Sequence, residues 1–178
     1  MDKQMNVKQW CLCALFAALT AVCAQIQIPM WPVPITLSLL PVLLCASLMN
    51  KSYAALAMLV YMLMGLIGLP VFSGMAGGPG KLFGVTGGYI IGYIPCAFLA
   101  AWIIGRWGRA YWKQCLAMAA GVLACYAFGT AWFMLTKHAG LWPSLTMCVI
   151  PFLPGDAVKI LLAAFLGKRL EKAVRAAG

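Results

Sequence analysis

The stretch WCLCALFAALTAVCAQIQI, residues 10–28, runs for nineteen residues without a charged side chain. A helix needs about 20 apolar residues, within a range of about 17–25, to cross the hydrocarbon core of a bilayer. No small-residue cleavage site follows the run at the spacing of a signal peptide, so we do not expect its removal. The stretch is therefore predicted to be a transmembrane helix.

Five further apolar runs follow this one along the chain. Hydrophobic residues make up 65% of the 178 residues and charged residues 9%, against about 25% charged residues in a typical soluble domain. A soluble helical bundle is disfavoured, because so few charges could not cover its surface. We predict an all-α polytopic membrane protein with six transmembrane helices in a single domain, residues 1–178. The later five helices are expected within about 35–49, 53–69, 85–105, 114–135 and 145–167.

The basic residues are distributed unevenly between the two predicted faces of the membrane. Six crossings place both termini on one face, together with ten of the thirteen Lys and Arg residues. Lys81 and Lys137 lie on the other face, and Lys159 lies within the sixth run. Positive charge marks cytoplasmic loops, so we expect both termini on the cytoplasmic side of the plasma membrane. Because orientation in lipid explains the net charge of +10, no nucleic-acid partner is expected.

Metal and enzyme chemistry have little support in the sequence. The eight cysteines lie within apolar runs without a CxxC motif, and His138 is the only histidine, so no metal site and no cofactor are expected. Gly80-Lys81 resembles the end of a phosphate-binding loop, but Met75 and Leu82 stand where that loop requires glycine and Ser or Thr. Neither HExxH nor GxSxG occurs, so we predict that the chain is not an enzyme.

The most informative charges are those of Asp156 and Lys159, which are three residues apart and would share a helix face. The 12 residues from Asp156 to Lys168 correspond to about 18 Å of helix. Both charges therefore lie at membrane depth, where each costs about 2.5–3.5 kcal/mol. Pro154 favours a helix that starts part-way into the membrane, with its N-terminal N–H groups facing outward. We predict a ligand site here; the alternative is a structural pair that satisfies only itself.

Two unusual loops lie on the predicted outer face. Pro29, Pro32 and Pro34 prevent regular helix in the first, and the second, residues 70–84, is rich in glycine. Aromatic residues at this level are usually interfacial, but a ring-shaped ligand needs one or two of them as walls. Glycine also lets a backbone approach a ligand closely. With the charged pair, the candidate ligand contacts are Asp156, Lys159, Trp31, Phe72, Gly77, Gly78 and Tyr89.

Small residues recur on the first run at intervals of four. Ala14 with Ala18, and Ala17 with Ala21, have the spacing that lets another helix approach closely. From the spacing alone, packing within the same chain is favoured over packing against a partner.

Five segments together resemble the BioY family, the biotin-specific substrate-binding (S) components of energy-coupling-factor transporters. They are ALFAALTAV at 14–22, VPITL at 33–37, GLPVFSG at 68–74, FGVTGGY at 83–89 and PGDAVK at 154–159. The resemblance extends from about Ala14 to Leu166. One departure is Gly74, where many members carry asparagine, so one side-chain hydrogen bond is missing from that loop.

The resemblance implies a six-helix S component that captures biotin from outside. Its implied partners are a transmembrane coupling subunit and two ATPase subunits. It places the biotin contacts at Asp156 and Lys159, with Thr36, Gly87, Gly88 and Tyr89 near the ligand, and assigns Ala14 and Ala18 to contact with the coupling subunit. The alternative function is an autonomous small vitamin transporter that works without an ATPase module.

Overall fold

The structure, a computed structural model, describes residues 7–30 and 33–176 and gives side-chain positions up to residue 171. Most of this part of the chain is helical. The elements in order are α1 (Val7–Gln25), β1 (Gln27–Ile28), β2 (Ile35–Thr36), α2 (Leu39–Leu48), α3 (Lys51–Leu66), α4 (Pro79–Leu82), α5 (Gly87–Trp107), α6 (Tyr111–Lys137), α7 (Leu141–Cys148), a 3₁₀ turn (Ile150–Phe152) and α8 (Leu153–Ala176).

Four helical segments are long and apolar enough to cross a membrane: α1, α5, α6 and the continuous stretch Leu141–Glu171 that joins α7 to α8. The prediction of a mainly helical, multi-pass membrane protein is therefore confirmed. The second and third predicted spans form apolar helices of 10 and 16 residues, which are shorter than a full crossing. The prediction of six spans consequently stays a prediction.

Helix α2 is short because the chain before it is extended. Ile35–Thr36 pairs antiparallel with Gln27–Ile28, in the register Gln27 to Thr36 and Ile28 to Ile35. Proline at position 34 disfavours helix in this region. The small β-ribbon is a departure from the all-helical prediction.

Helix α2 is the most enclosed helix, and nine of its ten residues are buried. It packs against α8, α5 and α1. Extended backbone at membrane depth is tolerated where protein, rather than lipid, surrounds it. The central position of α2 therefore explains how an extended connector, residues 33–38, can precede it without a large energetic cost.

Helix α8 continues past Gly167 without a break to Ala176. Gly167 lies within this helix and does not end it. A side chain at this position would strike Ser47 of α2. Close packing against α2 therefore explains a glycine at this position better than helix termination does.

The glycine-rich loop is fixed to the end of α1. The Gln25 side-chain amide donates to the Phe72 carbonyl at 3.1 Å, and its oxygen accepts from the Met75 N–H at 2.9 Å. Phe72 and Ala76 form a further antiparallel bridge within the loop. These contacts hold the loop against the end of α1, and the loop includes the helical turn α4.

Candidate ligand site

The site begins at the break between α7 and α8. Helix α7 ends at Cys148, the 3₁₀ turn follows, and α8 begins at Leu153. Pro154 lies in the first turn of α8, where its missing N–H removes no helical hydrogen bond. Asp156 is the acidic residue of that first turn, and a negative charge there is stabilised by the positive end of the helix dipole. The predicted helix start is confirmed.

Asp156 and Lys159 form an ion pair inside the protein. Lys159 Nζ lies 2.7 Å from Asp156 Oδ1 and also donates to the Thr36 carbonyl at 2.7 Å. The Tyr126 hydroxyl of α6 donates to the second carboxylate oxygen, Oδ2. Asp156 is 4% exposed and Lys159 is 7% exposed. Each charge has two hydrogen-bonding partners, and these lower the free-energy cost of burying it. An isolated charge at this depth would have no such compensation.

A chain of hydroxyl groups runs beside this pair. Thr36 Oγ1 lies 2.6 Å from Ser38 Oγ, which lies 2.6 Å from the Tyr93 hydroxyl of α5. Thr36 therefore belongs to both groups, through its carbonyl to Lys159 and through its hydroxyl to Ser38. The extended connector, α5, α6 and α8 all supply polar groups to one point.

These groups surround a cavity of about 50 Å³. Its aromatic wall is formed by Tyr89 and Phe152, whose rings are parallel within 7° with centroids 6.4 Å apart. The Tyr89 hydroxyl donates to the Cys148 carbonyl at 3.1 Å, and Gly129 leaves room for the ring against α6. The lining residues are Val33, Thr36, Leu39, Tyr89, Tyr93, Cys125, Tyr126, Phe152, Asp156 and Lys159.

Four of the predicted contacts meet in this cavity: Asp156, Lys159, Tyr89 and Thr36. Gly87 and Gly88 do not line it and instead open α5 just before Tyr89. A side chain at Gly87 would strike the Leu82 carbonyl, and one at Gly88 would strike Trp132 of α6. These two glycines therefore allow the close packing that positions Tyr89.

The predicted contacts from the glycine-rich loop lie elsewhere. Phe72 is fully buried, with its ring against Gly65 and edge-on to Tyr61 at 5.7 Å. Gly77 packs on the backbone of Gly68 and Leu69. Neither these residues nor Gly78 lines the cavity, so a ligand contact from this loop stays a prediction. Trp31 lies outside the described residues.

Sequence reasoning missed Tyr93, Tyr126 and Phe152. Tyr93 had a usable signal, because it follows Tyr89 by four residues and so shares its helix face. Tyr126 lies in the middle of an apolar run and points inward, which its neighbours in sequence do not reveal. Phe152 is the last residue of the 3₁₀ turn before α8, an element that the sequence analysis did not predict.

The alanines of α1 divide between two faces. Ala17 and Ala24 are buried, whereas Ala14 and Ala18 are exposed. Ala14 and Ala18 thus lie on an outward strip where small side chains permit close approach by another helix.

Comparisons with known proteins agree on one family. The model of the BioY family matches residues 1–176. A probable biotin transporter BioY from Pyrococcus horikoshii is 36% identical over 94% of this chain and 98% of its own length. The biotin transporter BioY of Thermotoga maritima is 35% identical over 93% of this chain and 97% of its own length.

A solved structure resembles the fold over nearly its whole length. It is the S-component for biotin from an ECF-type ABC transporter, with a TM-score of 0.86 and 26% sequence identity. The match covers 97% of this chain and 95% of that protein. The relatives are transport proteins and not enzymes. The chain belongs to the BioY family.

Proposed function

We propose that this chain binds biotin in the Asp156–Lys159 cavity and works as the substrate-binding subunit of an energy-coupling-factor transporter. The observation that carries the proposal is a buried ion pair that opens into a cavity with a parallel aromatic wall. Its support from the comparisons is that the similar proteins are named as biotin transporters and as a biotin S-component. Intramembrane charges also occur preferentially at substrate sites.

The hydrogen-bonding capacity of the pair matches the ureido ring of biotin, which has two N–H donors and one carbonyl acceptor. A lysine ammonium has three N–H donors, and Lys159 uses two of them on Asp156 and Thr36. A carboxylate has about four acceptor positions, and Asp156 uses one on Lys159 and one on Tyr126. Asp156 can therefore accept from a ureido N–H while Lys159 donates to the ureido oxygen, and both bonds are charge-assisted.

The walls must separate when biotin enters. The cavity holds about 50 Å³, whereas pockets for small organic ligands usually hold about 300–1,000 Å³. Among the described residues of the wall, Val33 and Thr36 lie on the extended connector, which a ribbon of two residues per strand holds in place. The connector is therefore the wall that moves at the lowest cost, because fewer hydrogen bonds fix it than fix a helix.

The energising partners would be a transmembrane coupling subunit and two ATPase subunits. The exposed Ala14 and Ala18 form the surface we propose for the coupling subunit, since small residues let two helices pack closely within lipid. The chain itself has no intact phosphate-binding loop, so nucleotide energy would have to come from those partners.

We also propose six crossings in one domain, with both termini in the cytoplasm of the cell. The second crossing would combine the 10-residue α2 with the extended connector before it. The basic residues that cluster on one predicted face support this orientation. A fluorescent protein fused to the C-terminus should fluoresce, and alkaline phosphatase at the same position should be inactive. The reverse result would contradict the orientation.

Equilibrium binding of biotin to the purified protein in detergent tests the proposed substrate. Lipoate, which also carries a free carboxylate but has no ureido ring, is the matched control ligand. Tight binding of biotin with much weaker binding of lipoate is expected. Absence of biotin binding to a folded sample would reject biotin as the substrate, and equal binding of both would reject recognition of the ureido ring.

A further inference from the structure

A second and larger cavity opens where the turn between α2 and α3 meets the loop between α5 and α6. Its volume is about 390 Å³. It shares no lining residue with the Asp156–Lys159 cavity, so the proposed biotin site does not account for it. Its walls are formed by Met49, Asn50, Lys51, Ser52, Ala101, Trp102, Ile104, Gly105, Arg106 and Arg109.

Two of the three cations that line this cavity have no carboxylate partner among the described residues. Lys51, Arg106 and Arg109 line it. Of the three acidic residues in the chain, Asp156 is paired with Lys159 and Glu171 lies 3.5 Å from Arg109. Within residues 7–30 and 33–171, no carboxylate lies within ion-pair distance of Lys51 or Arg106. The cavity therefore favours an anion.

Aromatic rings hold two of the cations in place. Lys51 Nζ lies 5.7 Å from the centroid of the Phe98 ring, and the Arg106 guanidinium lies 4.8 Å from that of Trp102. Such cation–π contacts stabilise a cation over the ring face. Arg109 is held separately by a 2.9 Å hydrogen bond to the Ser47 carbonyl. The positive groups are thus positioned before any ligand arrives.

Two further features of the walls narrow the class of anion. Lys51 and Ser52 are the first residues of the 16-residue helix α3, whose N-terminal N–H groups and dipole favour a phosphate. Trp102 lines the cavity and is 36% exposed, and Phe98, which lies outside the lining beneath Lys51, is 41% exposed. Both belong to α5, a helix long enough to cross the membrane. The site therefore combines exposed cations with an exposed aromatic surface.

We propose that this cavity binds one acidic phospholipid, with the phosphate between Lys51 and Arg106 and the acyl chains along Phe98 and Trp102. Basic pockets between membrane helices suit anionic headgroups. A free phosphate would pair with the cations only, whereas a lipid would also cover the exposed apolar surface of α5 beside them, so a lipid accounts for both features of the site. The inference does not depend on biotin as the substrate.

Native mass spectrometry of the detergent-purified protein with added phosphatidylglycerol or phosphatidylcholine tests this inference. The unmodified chain should retain one phosphatidylglycerol molecule in preference to phosphatidylcholine. The double variant Lys51→Gln/Arg106→Gln should bind phosphatidylglycerol about tenfold more weakly or worse, since each cation near a membrane surface attracts anionic lipid by about 1 kcal/mol. Lys113→Gln/Lys168→Gln removes two exposed cations that lie outside the cavity and should retain the lipid.

Three outcomes would overturn the proposal. Equal weakening in both double variants would show diffuse attraction without a site. Displacement of the lipid by glycerol phosphate at similar concentrations would show that a soluble phosphate ester is the ligand. Unchanged retention in Lys51→Gln/Arg106→Gln would exclude the cavity. The charge-conserving variant Lys51→Arg/Arg106→Lys guards against misfolding, because it should keep the lipid, and its failure to do so in a folded state would also count against the site.

Discussion

Removing the charge of Asp156 separates its role in stability from its role in binding. The variant Asp156→Asn keeps the size of the side chain but leaves Lys159 buried without a counter-charge. Breaking a buried pair in this way costs about 3–5 kcal/mol of folding stability. A hydrogen bond from a ligand to a charged group contributes about 1.5–3 kcal/mol, so the affinity for biotin should fall by roughly 10- to 150-fold.

The double variant Asp156→Asn/Lys159→Gln distinguishes the two roles. It removes both charges, so no uncompensated charge stays buried, and thermal stability should recover most of the loss caused by the single substitution. The affinity for biotin should not recover, because both charge-assisted contacts are absent. Stability is measured by thermal unfolding in detergent and affinity by equilibrium titration with biotin.

Glu171→Gln is the matched control, because it weakens the other described ion pair, that with Arg109, outside the cavity. Its affinity for biotin should equal that of the unmodified chain. The reasoning is refuted if the folded double variant binds biotin normally. The pair would then be structural, as the alternative interpretation of the sequence held.

Three other substitutions test separate parts of the structure. Gly129→Ala places a methyl group against the ring of Tyr89, which should displace that wall and weaken biotin binding several-fold in titrations. Ala14→Trp should prevent co-purification with the coupling subunit while biotin binding persists, since an indole blocks close helix approach. Gln25→Leu removes the hydrogen bonds that fix the glycine-rich loop, so amide hydrogen exchange across residues 70–78 should accelerate.

The first two of these substitutions have matched controls. Gly105→Ala adds a methyl group that meets no atom within 4 Å, so its biotin affinity should not change. Leu123→Trp enlarges an exposed residue on α6, away from the alanine strip, and should leave assembly with the coupling subunit normal. Equal losses in test and control, or unchanged exchange of the loop in Gln25→Leu, would contradict the proposed role of the residue concerned.

The charged part of the site was predictable from the sequence because its physics is simple. An aspartate and a lysine three residues apart at membrane depth each require a counter-charge. The structure places Lys159 Nζ 2.7 Å from Asp156 Oδ1. Pro154 likewise predicted the helix start. The partner Tyr126 was not predicted, since a tyrosine within an apolar run is equally compatible with a core or a lipid-facing position. Tyr93 was missed although it shares the helix face of Tyr89.

The fold was predictable in class but not in the lengths of its inner helices. Apolar runs locate helices, but they do not show that Ile35–Thr36 would pair with Gln27–Ile28 and shorten α2 to 10 residues. Hydrophobicity cannot distinguish an extended apolar segment from a helical one when both are enclosed by protein. The burial of Phe72 against Gly65 and Tyr61 was not predictable either, because it depends on how the glycine-rich loop folds back on α3.

A structure of the chain determined with biotin bound tests the central claim most directly. We expect the ureido ring against the Tyr89–Phe152 wall, with one ureido N–H within hydrogen-bond distance of Asp156 and the ureido oxygen within that distance of Lys159. Biotin bound elsewhere, with the Asp156–Lys159 pair still closed on itself, would contradict the account.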